Sequence, residues 1–154
     1  MGFRREGITL AEARRGTYVF IATMRPSDVL VVEDDPDINE MIGAYLELEG
    51  FACRRFLDGT TALREARRQP PALVVLDLML PDVNGMEVCR RLRADEATRD
   101  VRVVIVTALD DAATREEARG CGVLGYMTKP FDPDALLDVV RENVPASGGS
   151  GCGR

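Results

Sequence analysis

Three stretches of the chain are apolar without interruption and rich in β-branched residues. They cover residues 29–32, 73–76 and 103–106, and none of them alternates apolar with polar positions. Such runs are typical of strands that are covered on both faces, as in a parallel sheet between two layers of helices. Residues 123–127 predict a weaker strand. Residues 51–56 include two arginines in an apolar pattern, which predicts an edge strand.

Amphipathic segments with clear start signals follow these strands. In the first segment, Asp35 and Pro36 precede apolar residues at helical spacing, and Gly50 ends the pattern. Asn84 and Glu87 are spaced as in a capping box. Four further helices are predicted to start at or near Asp58, Asn84, Asp111 and Asp132. Five strands that alternate with five helices predict an α/β fold with a doubly wound parallel sheet.

This alternating pattern occupies residues 27–145, which we assign to one domain. Residues 1–26 carry five Arg and two Glu, a net charge of +3 in a chain whose total is −6. We expect this extension to be disordered or to come from a mis-assigned start codon. The capping-box spacing of Thr9 and Glu12 suggests a short docking helix as the alternative. Residues 146–154 are rich in Gly and Ser and predict a flexible tail.

The composition argues against several kinds of site. The chain has no histidine and no closely spaced cysteine pair, which argues against a zinc site and against a Cys-His or Ser-His nucleophile. Three of its four cysteines lie in core-like segments, which predicts free thiols in a reducing, cytoplasmic setting. No apolar run approaches the roughly 20 residues of a membrane span. The net charge of −6 argues against direct binding of nucleic acid.

Polar residues stand at the carboxyl ends of the predicted strands. In chain order they are Glu33, Asp34, Asp77, Thr107 and Lys129. Because ligands of open α/β sheets bind at the carboxyl ends of the strands, we expect these side chains to converge at one edge. Capping of the next helix explains Asp35. It does not explain Asp77, which is followed by apolar residues before any helix starts.

Grouped carboxylates predict a bound cation. They raise one another's pKa unless a positive charge offsets them, and Mg²⁺ does so while keeping positions for phosphate oxygens. Neither a GxGxxG nor a GxxxxGK[ST] loop occurs, which disfavours nucleotide binding. A carboxylate nucleophile, Asp77, that forms an aspartyl phosphate is the better hypothesis. Lys129, the only lysine, is a compact point charge that fits a narrow site better than a planar guanidinium does.

Four motifs carry a resemblance to a known family. The segments VLVVEDD, LVVLDLMLPDVNGMEV, VVIVTAL and GYMTKPF, in this order, resemble the receiver domain of bacterial two-component response regulators over nearly all of residues 28–144. The resemblance implies a flavodoxin-like (βα)5 sheet with strand order 2-1-3-4-5. It also implies that Asp77 accepts a phosphoryl group from the phosphohistidine of a sensor histidine kinase or a phosphotransfer protein.

The resemblance assigns a role to each matching residue. The implied Mg²⁺ ligands are Asp34 directly, Glu33 through water, Asp77, and the backbone carbonyl of Met79. The residues implied to act at the phosphoryl group are Asp77, Thr107 and Lys129. The implied switch pair is Thr107 and Tyr126, although composition alone would make Tyr126 a packing residue. A cis peptide is implied between Lys129 and Pro130.

The expected function is therefore that of a stand-alone receiver, a switch rather than an enzyme, which phosphorylates itself and loses the phosphoryl group slowly. Output is expected through the face formed by the fourth helix, the last strand and the fifth helix, toward a protein target. Direct DNA binding and membrane attachment are not expected. The oligomeric state stays open, with a phosphorylation-dependent homodimer as one alternative.

Two alternatives stay open. A phosphohydrolase of the haloacid dehalogenase class would need a second acid where Met79 stands. A phosphorylation-independent pseudo-receiver would not need the acids and Lys129, which are intact.

Overall fold

The computed structural model describes residues 28–145, which form a parallel sheet covered by helices on both faces. The strands are β1 (Asp28–Val32), β2 (Ala52–Phe56), β3 (Leu73–Leu76), β4 (Arg102–Thr107) and β5 (Gly125–Thr128). They pair in the order β2-β1-β3-β4-β5. The predicted fold class and strand order are both confirmed. The expectations for residues 1–26 and 146–154 lie outside the described residues.

Two apolar cores flank the sheet. The helices are α1 (Pro36–Leu48), α2 (Gly59–Arg68), α3 (Gly85–Ala94), α4 (Ala112–Gly120) and α5 (Pro133–Asn143). On β1, Val29 and Val31 pack toward α1 and α5, while Leu30 and Val32 pack toward α2, α3 and α4. Because successive residues of a strand point to opposite faces, a strand covered on both sides has to be apolar throughout.

Side-chain caps start all five helices. The residues predicted to cap them do so, namely Asp35, Asp58, Asn84, Asp111 and Asp132. The capping box is only half confirmed. Asn84 accepts a hydrogen bond from the amide of Met86 at 2.7 Å, but the Glu87 carboxylate pairs with Arg90 and Arg91. A charge-assisted bond to a guanidinium outweighs one to a neutral amide, so Glu87 does not turn back toward the cap.

The last strand starts two residues later than predicted. The amide of Val123 still donates to the carbonyl of Ala118, which belongs to the closing turn of α4. Gly122 makes that turn with a φ of 73°, a conformation that favours glycine. The ladder with β4 therefore pairs Gly125 first, with Val104. Across the residues that the structure describes, no helix is long and apolar enough to cross a membrane.

Candidate functional site

The turn after β1 holds the first two candidate residues. Glu33 is 2% exposed, and its amide donates to the carbonyl of Phe56 at 3.1 Å, which extends the pairing of β1 with β2. Asn39 on α1 donates from Nδ2 to the carbonyls of Glu33 and Phe56, both at 2.9 Å. Glu33 Oε2 accepts from the amide of Asp35 at 3.0 Å. Glu33 thus points inward while Asp34 is exposed.

Asp77 follows β3 and lies at the centre of the site. Its side chain is buried, with the residue 4% exposed, and its amide donates to the carbonyl of Val32 at 3.0 Å. Oδ1 accepts from the amide of Met79 at 3.0 Å. The first turn of α3 lies directly against this segment, because a Cβ on Gly85 would come within 2.5 Å of the Asp77 carbonyl oxygen. Gly85 therefore permits a close approach that a larger residue would prevent.

Lys129 joins the two buried acids. Its Nζ lies 2.6 Å from Glu33 Oε1 and 2.8 Å from Asp77 Oδ2. Its amide donates to the carbonyl of Thr107 at 2.8 Å, which fixes the lysine relative to β4. The peptide bond between Lys129 and Pro130 is cis, as predicted. Three strands far apart in sequence therefore contribute to one ionic cluster.

The electrostatics of this cluster follow from burial and from the single lysine. Burial raises the pKa of Glu33, and the hydrogen bond from Lys129 opposes that shift without cancelling it. Burial is the largest single effect and lowers the pKa of Lys129, but the hydrogen bonds to Asp77 and Glu33 and the attraction of their charges together raise the pKa above its usual value. Lys129 is therefore a firmly charged cation at neutral pH.

Three carboxylates of the site can reach a common point. Glu33, Asp34 and Asp77 each offer an oxygen, and these oxygens lie within 4.8 Å of one another. A cavity of about 510 Å³ opens beside them and is lined by residues that include Asp34, Met79 and Leu109. Hard oxygen donors next to an open cavity suit Mg²⁺, which binds one or two carboxylates and keeps several water ligands. The donor set therefore fits the predicted ion.

The two predicted switch residues meet at a third residue. Thr107 is fully buried, and its Oγ1 accepts from the amide of Leu109 at 3.4 Å. Tyr126 is half-buried on β5, and its hydroxyl donates to the carbonyl of Leu109 at 2.9 Å. The guanidinium of Arg115 lies over the Tyr126 ring, 4.6 Å from its centroid. Tyr126 therefore contacts the loop after β4 and not the carboxylates.

Three residues that position the site were not singled out from the sequence. Asn39 and Gly85 are described above. Asp82 accepts from the amides of Gly59 and Thr60 at 3.0 and 2.9 Å, so the loop after Asp77 is tied to the start of α2. Asn39 had a signal, because a polar residue stands between Ile38 and Ile42 where the helical pattern requires an inward-facing residue. Gly85 and Asp82 showed no such signal in the sequence pattern.

Comparisons with known proteins agree with this geometry. The family of the response regulator receiver domain matches residues 29–141. The DNA-binding response regulator MtrA of Mycolicibacterium smegmatis is 44% identical over 122 residues, which are 79% of this chain and 52% of the relative. The DNA-binding dual master transcriptional regulator RpaA of Synechocystis is 39% identical over 113 residues, which are 73% of this chain and 47% of the relative.

A solved structure shares the fold. The BeF3-activated N-terminal receiver domain of RstA from Klebsiella pneumoniae has a TM-score of 0.70 and 31% identity to this chain. The match covers 77% of this chain and 98% of that one. The chain spans about half the length of the curated relatives it matches.

One prediction about partners is wrong. The acidic net charge argues against direct DNA binding, whereas RpaA and MtrA are both named as DNA-binding regulators. The net charge of a chain that spans half of such a relative carries no information about the other half. The prediction of a stand-alone receiver is not confirmed for the same reason.

Proposed function

The chain belongs to the response regulator receiver family, and on that premise we propose that Asp77 accepts a phosphoryl group from a phosphohistidine and thereby switches the domain. Two-component signalling, phosphorylation and Mg²⁺ binding are general features of this family. The observation that carries the proposal is the environment of Asp77. It is a buried carboxylate that a backbone amide and Lys129 hold in place, with two further acids beside it.

The transfer is a direct exchange at phosphorus. An Asp77 carboxylate oxygen forms a bond to phosphorus while the phosphorus–nitrogen bond of the donor breaks, and the electron pair of that bond stays on the imidazole nitrogen. The Met79 amide and Lys129 hold one carboxylate oxygen each, so Asp77 is oriented before the donor arrives. Lys129 then contacts the phosphoryl oxygens as well as the carboxylate.

Asp34, Asp77 and the backbone carbonyl of Met79 would hold Mg²⁺ directly, and Glu33 would act through water. The ion would supply charge neutralisation for the phosphoryl oxygens. Glu33 already accepts from Lys129 and from the amide of Asp35, which supports an indirect role. Asp34 is the exposed member of the three acids, so an ion can reach its carboxylate from solvent.

A switch fits the site better than a hydrolytic enzyme does. Met79 stands where a phosphohydrolase of the haloacid dehalogenase class needs its second acid, and the residue is 53% exposed. Met79 and Leu109 beside the cavity give no group that would activate water, which supports slow loss of the phosphoryl group. The intact acids and Lys129 argue against a pseudo-receiver. A cytoplasmic location stays a prediction.

Output would start at Thr107. Its hydroxyl would turn from the Leu109 amide to the phosphoryl oxygens, and the loop after β4 would follow. Since Tyr126 bonds to the carbonyl of the same Leu109, the movement would reach the surface formed by α4, β5 and α5. We expect this surface to contact a downstream protein or a second copy of the chain.

The relatives favour a DNA-binding effector as the final target. MtrA and RpaA are named as DNA-binding regulators, and each is about twice as long as its match to this chain. We propose that the phosphorylated receiver controls such an effector. Footprinting with the protein expressed from its natural gene, with and without phosphorylation, tests this proposal, and an identical footprint in both states contradicts it.

Intact mass measurement tests the acceptor. Incubation with Mg²⁺ and a small acyl phosphate should add one phosphoryl group to the wild-type chain and none to Asp77→Asn. The adduct should survive acid and hydrolyse in base, as an acyl phosphate does. Asp35→Asn is the matched control, because Asp35 is an exposed helix cap near the site. An equal yield on Asp77→Asn would place the acceptor elsewhere.

A further inference from the structure

A wide groove between α2 and α3 is lined by four arginines. Its volume is about 810 Å³. Arg64, Arg67 and Arg68 come from α2 and Arg91 from α3. Thr60 adds a hydroxyl at the start of α2, and Asp95 is the one acid among the lining residues. None of the acids or switch residues around Asp77 lines the groove. The groove is therefore separate from the site described above.

Acidic partners only partly satisfy these arginines. Arg67 pairs with Asp95 at 2.6 Å, whereas Arg64 and Arg68 share Glu65 at 3.6 and 2.5 Å. Arg91 pairs with Glu87 at 2.9 Å, but Glu87 also pairs with Arg90. The four arginine side chains are between 61% and 69% exposed. A guanidinium has five N–H donors, so most donors of the groove face solvent.

The arrangement on α2 has one unfavourable feature, although Arg67 and Arg68 lie in the last turn, where the helix dipole favours cations. Arg64 lies three residues before Arg67 and four before Arg68, and like charges at these spacings repel. A single exposed arginine is ordinarily a solvated surface residue. Four that line one concavity, in a chain of net charge −6, create a local field that attracts anions.

We propose that this groove binds a small molecule that carries several phosphate groups and an apolar ring system, of the nucleoside polyphosphate class. Planar guanidinium forks match phosphate oxygens in pairs. Leu63, Ala94 and Ala97 also line the groove and offer an apolar surface to a ring. The volume lies within the roughly 300–1,000 Å³ of ligand pockets in general. No P-loop is involved, since recognition here comes from side chains.

Titration of the full chain with ATP tests the proposal. EDTA keeps the acids around Asp77 free of metal, so that they cannot recruit phosphate. Calorimetry should detect binding at low salt, and amide shifts should change at residues 60–68 and 91–97. Replacing two arginines with Arg64→Gln and Arg68→Gln should weaken binding about tenfold, because each exposed contact contributes modestly.

Arg119→Gln is the matched control. Arg119 is an exposed arginine on α4 that also pairs with a carboxylate, that of Glu116, and it lies outside the groove. Its replacement should leave ATP affinity unchanged. Thermal melting of each variant checks that the fold is intact. The control removes one positive charge and the groove variant two, so a control that loses half as much binding free energy as the groove variant would reduce the effect to overall charge and overturn the proposal.

Two further ligands separate the alternatives. Inorganic tripolyphosphate should bind more weakly than ATP, since it cannot use the apolar surface. Equal affinity of the two overturns the nucleotide assignment. A short DNA duplex that shifts the groove residues while ATP does not would make the groove a nucleic-acid surface and overturn the proposal. Amide shifts on ATP addition that are confined to Asp34 and Asp77 would overturn the proposal as well.

Discussion

The two ends of β1 each carry a buried acid paired with a cation, yet the two pairs differ in kind. At the start of the strand, Asp28 is 0% exposed and pairs with Arg54 on β2. At the other end, Glu33 is 2% exposed and pairs with Lys129. The pair at the start of β1 thus stabilises the fold, whereas the pair at its other end belongs to the candidate site.

Arg54 neutralises the buried acid at the first end of β1. Its Nε and Nη2 donate to Asp28 Oδ2 at 2.9 and 2.5 Å, and Nη2 also donates to the carbonyl of Gln69 at 2.6 Å. One guanidinium thus joins β1, β2 and the end of α2. One acid faces one base, so the charges cancel, although the buried Asp28 Oδ1 accepts no hydrogen bond from the residues that the structure describes.

Lys129 does not neutralise all the acids at the second end of β1. Its Nζ contacts both Glu33 and Asp77, and Asp34 reaches the same point from solvent. Three carboxylates thus face one ammonium group, and burial raises the pKa of Glu33. The excess negative charge predicts that a bound cation stabilises this site. The balanced ion pair of Asp28 and Arg54 should not bind a cation.

The largest difference should appear in stability. Asp28→Asn leaves Arg54 without its carboxylate partner and should lower the free energy of unfolding by about 3 kcal/mol, as breaking a buried pair does. Asp77→Asn removes one of several like charges and should leave stability unchanged or raise it. Urea denaturation of both variants measures the contrast. Equal losses would mean that the two ends play the same structural role.

Metal affinity should give the next largest effect. Asp34→Asn should weaken Mg²⁺ binding at least as much as the loss of an outer-sphere partner does, roughly 10- to 100-fold. Asp35→Asn should change neither affinity nor stability, because Asn caps a helix about as well as Asp. Calorimetric titration with Mg²⁺ measures the affinity of the Asp34→Asn and Asp35→Asn variants. If both variants lose affinity equally, Asp34 is not a direct ligand.

The sequence predicted most of the second end and little of the first. Glu33, Asp77 and Lys129 each follow a strand, and the topology of a parallel sheet brings strand ends together, so their convergence could be inferred. Asp28 and Arg54 give no such signal. Arg54 lies in the segment that predicts an edge strand, and only the register that places Leu30 beside Arg54 brings its guanidinium to Asp28.

Contacts between distant segments were equally hard to infer. Asp82 bonds to the start of α2, and Gly85 fits against the carbonyl of Asp77. Both depend on how closely two elements approach, which hydrophobic spacing does not encode. Helix caps could be predicted because an N-cap bonds within three residues of itself.

A smaller effect is expected for Arg54→Lys. An ammonium group can keep the charge near Asp28 but cannot reach Asp28 and the Gln69 carbonyl in the planar geometry of a guanidinium. The free energy of unfolding should fall by about 1.5 kcal/mol, the value of a hydrogen bond to a charged group. Urea denaturation is again the measurement. Wild-type stability in this variant would show that a positive charge near Asp28 is sufficient and that the guanidinium geometry adds nothing.

The reciprocal change, Lys129→Arg, should have the smallest effect on stability and a specific effect on function. The charge is kept beside Glu33 and Asp77, so no buried ion pair is broken and the free energy of unfolding should change less than in Arg54→Lys. The guanidinium is broader than an ammonium group and would crowd the space beside Asp34 that the ion and the phosphoryl group share.

Phosphorylation of the Lys129→Arg variant should still occur, but slowly, because the carboxylates can still bind Mg²⁺. The response at Tyr126 should fail, since it requires the phosphoryl group to be held at one fixed position beside Thr107. Intact mass measures the adduct, and the amide shift of Tyr126 measures the response in the same sample. An arginine variant that is phosphorylated and responds like the wild type would show that a positive charge suffices at this end of β1 too, and that the choice of lysine there has no functional meaning.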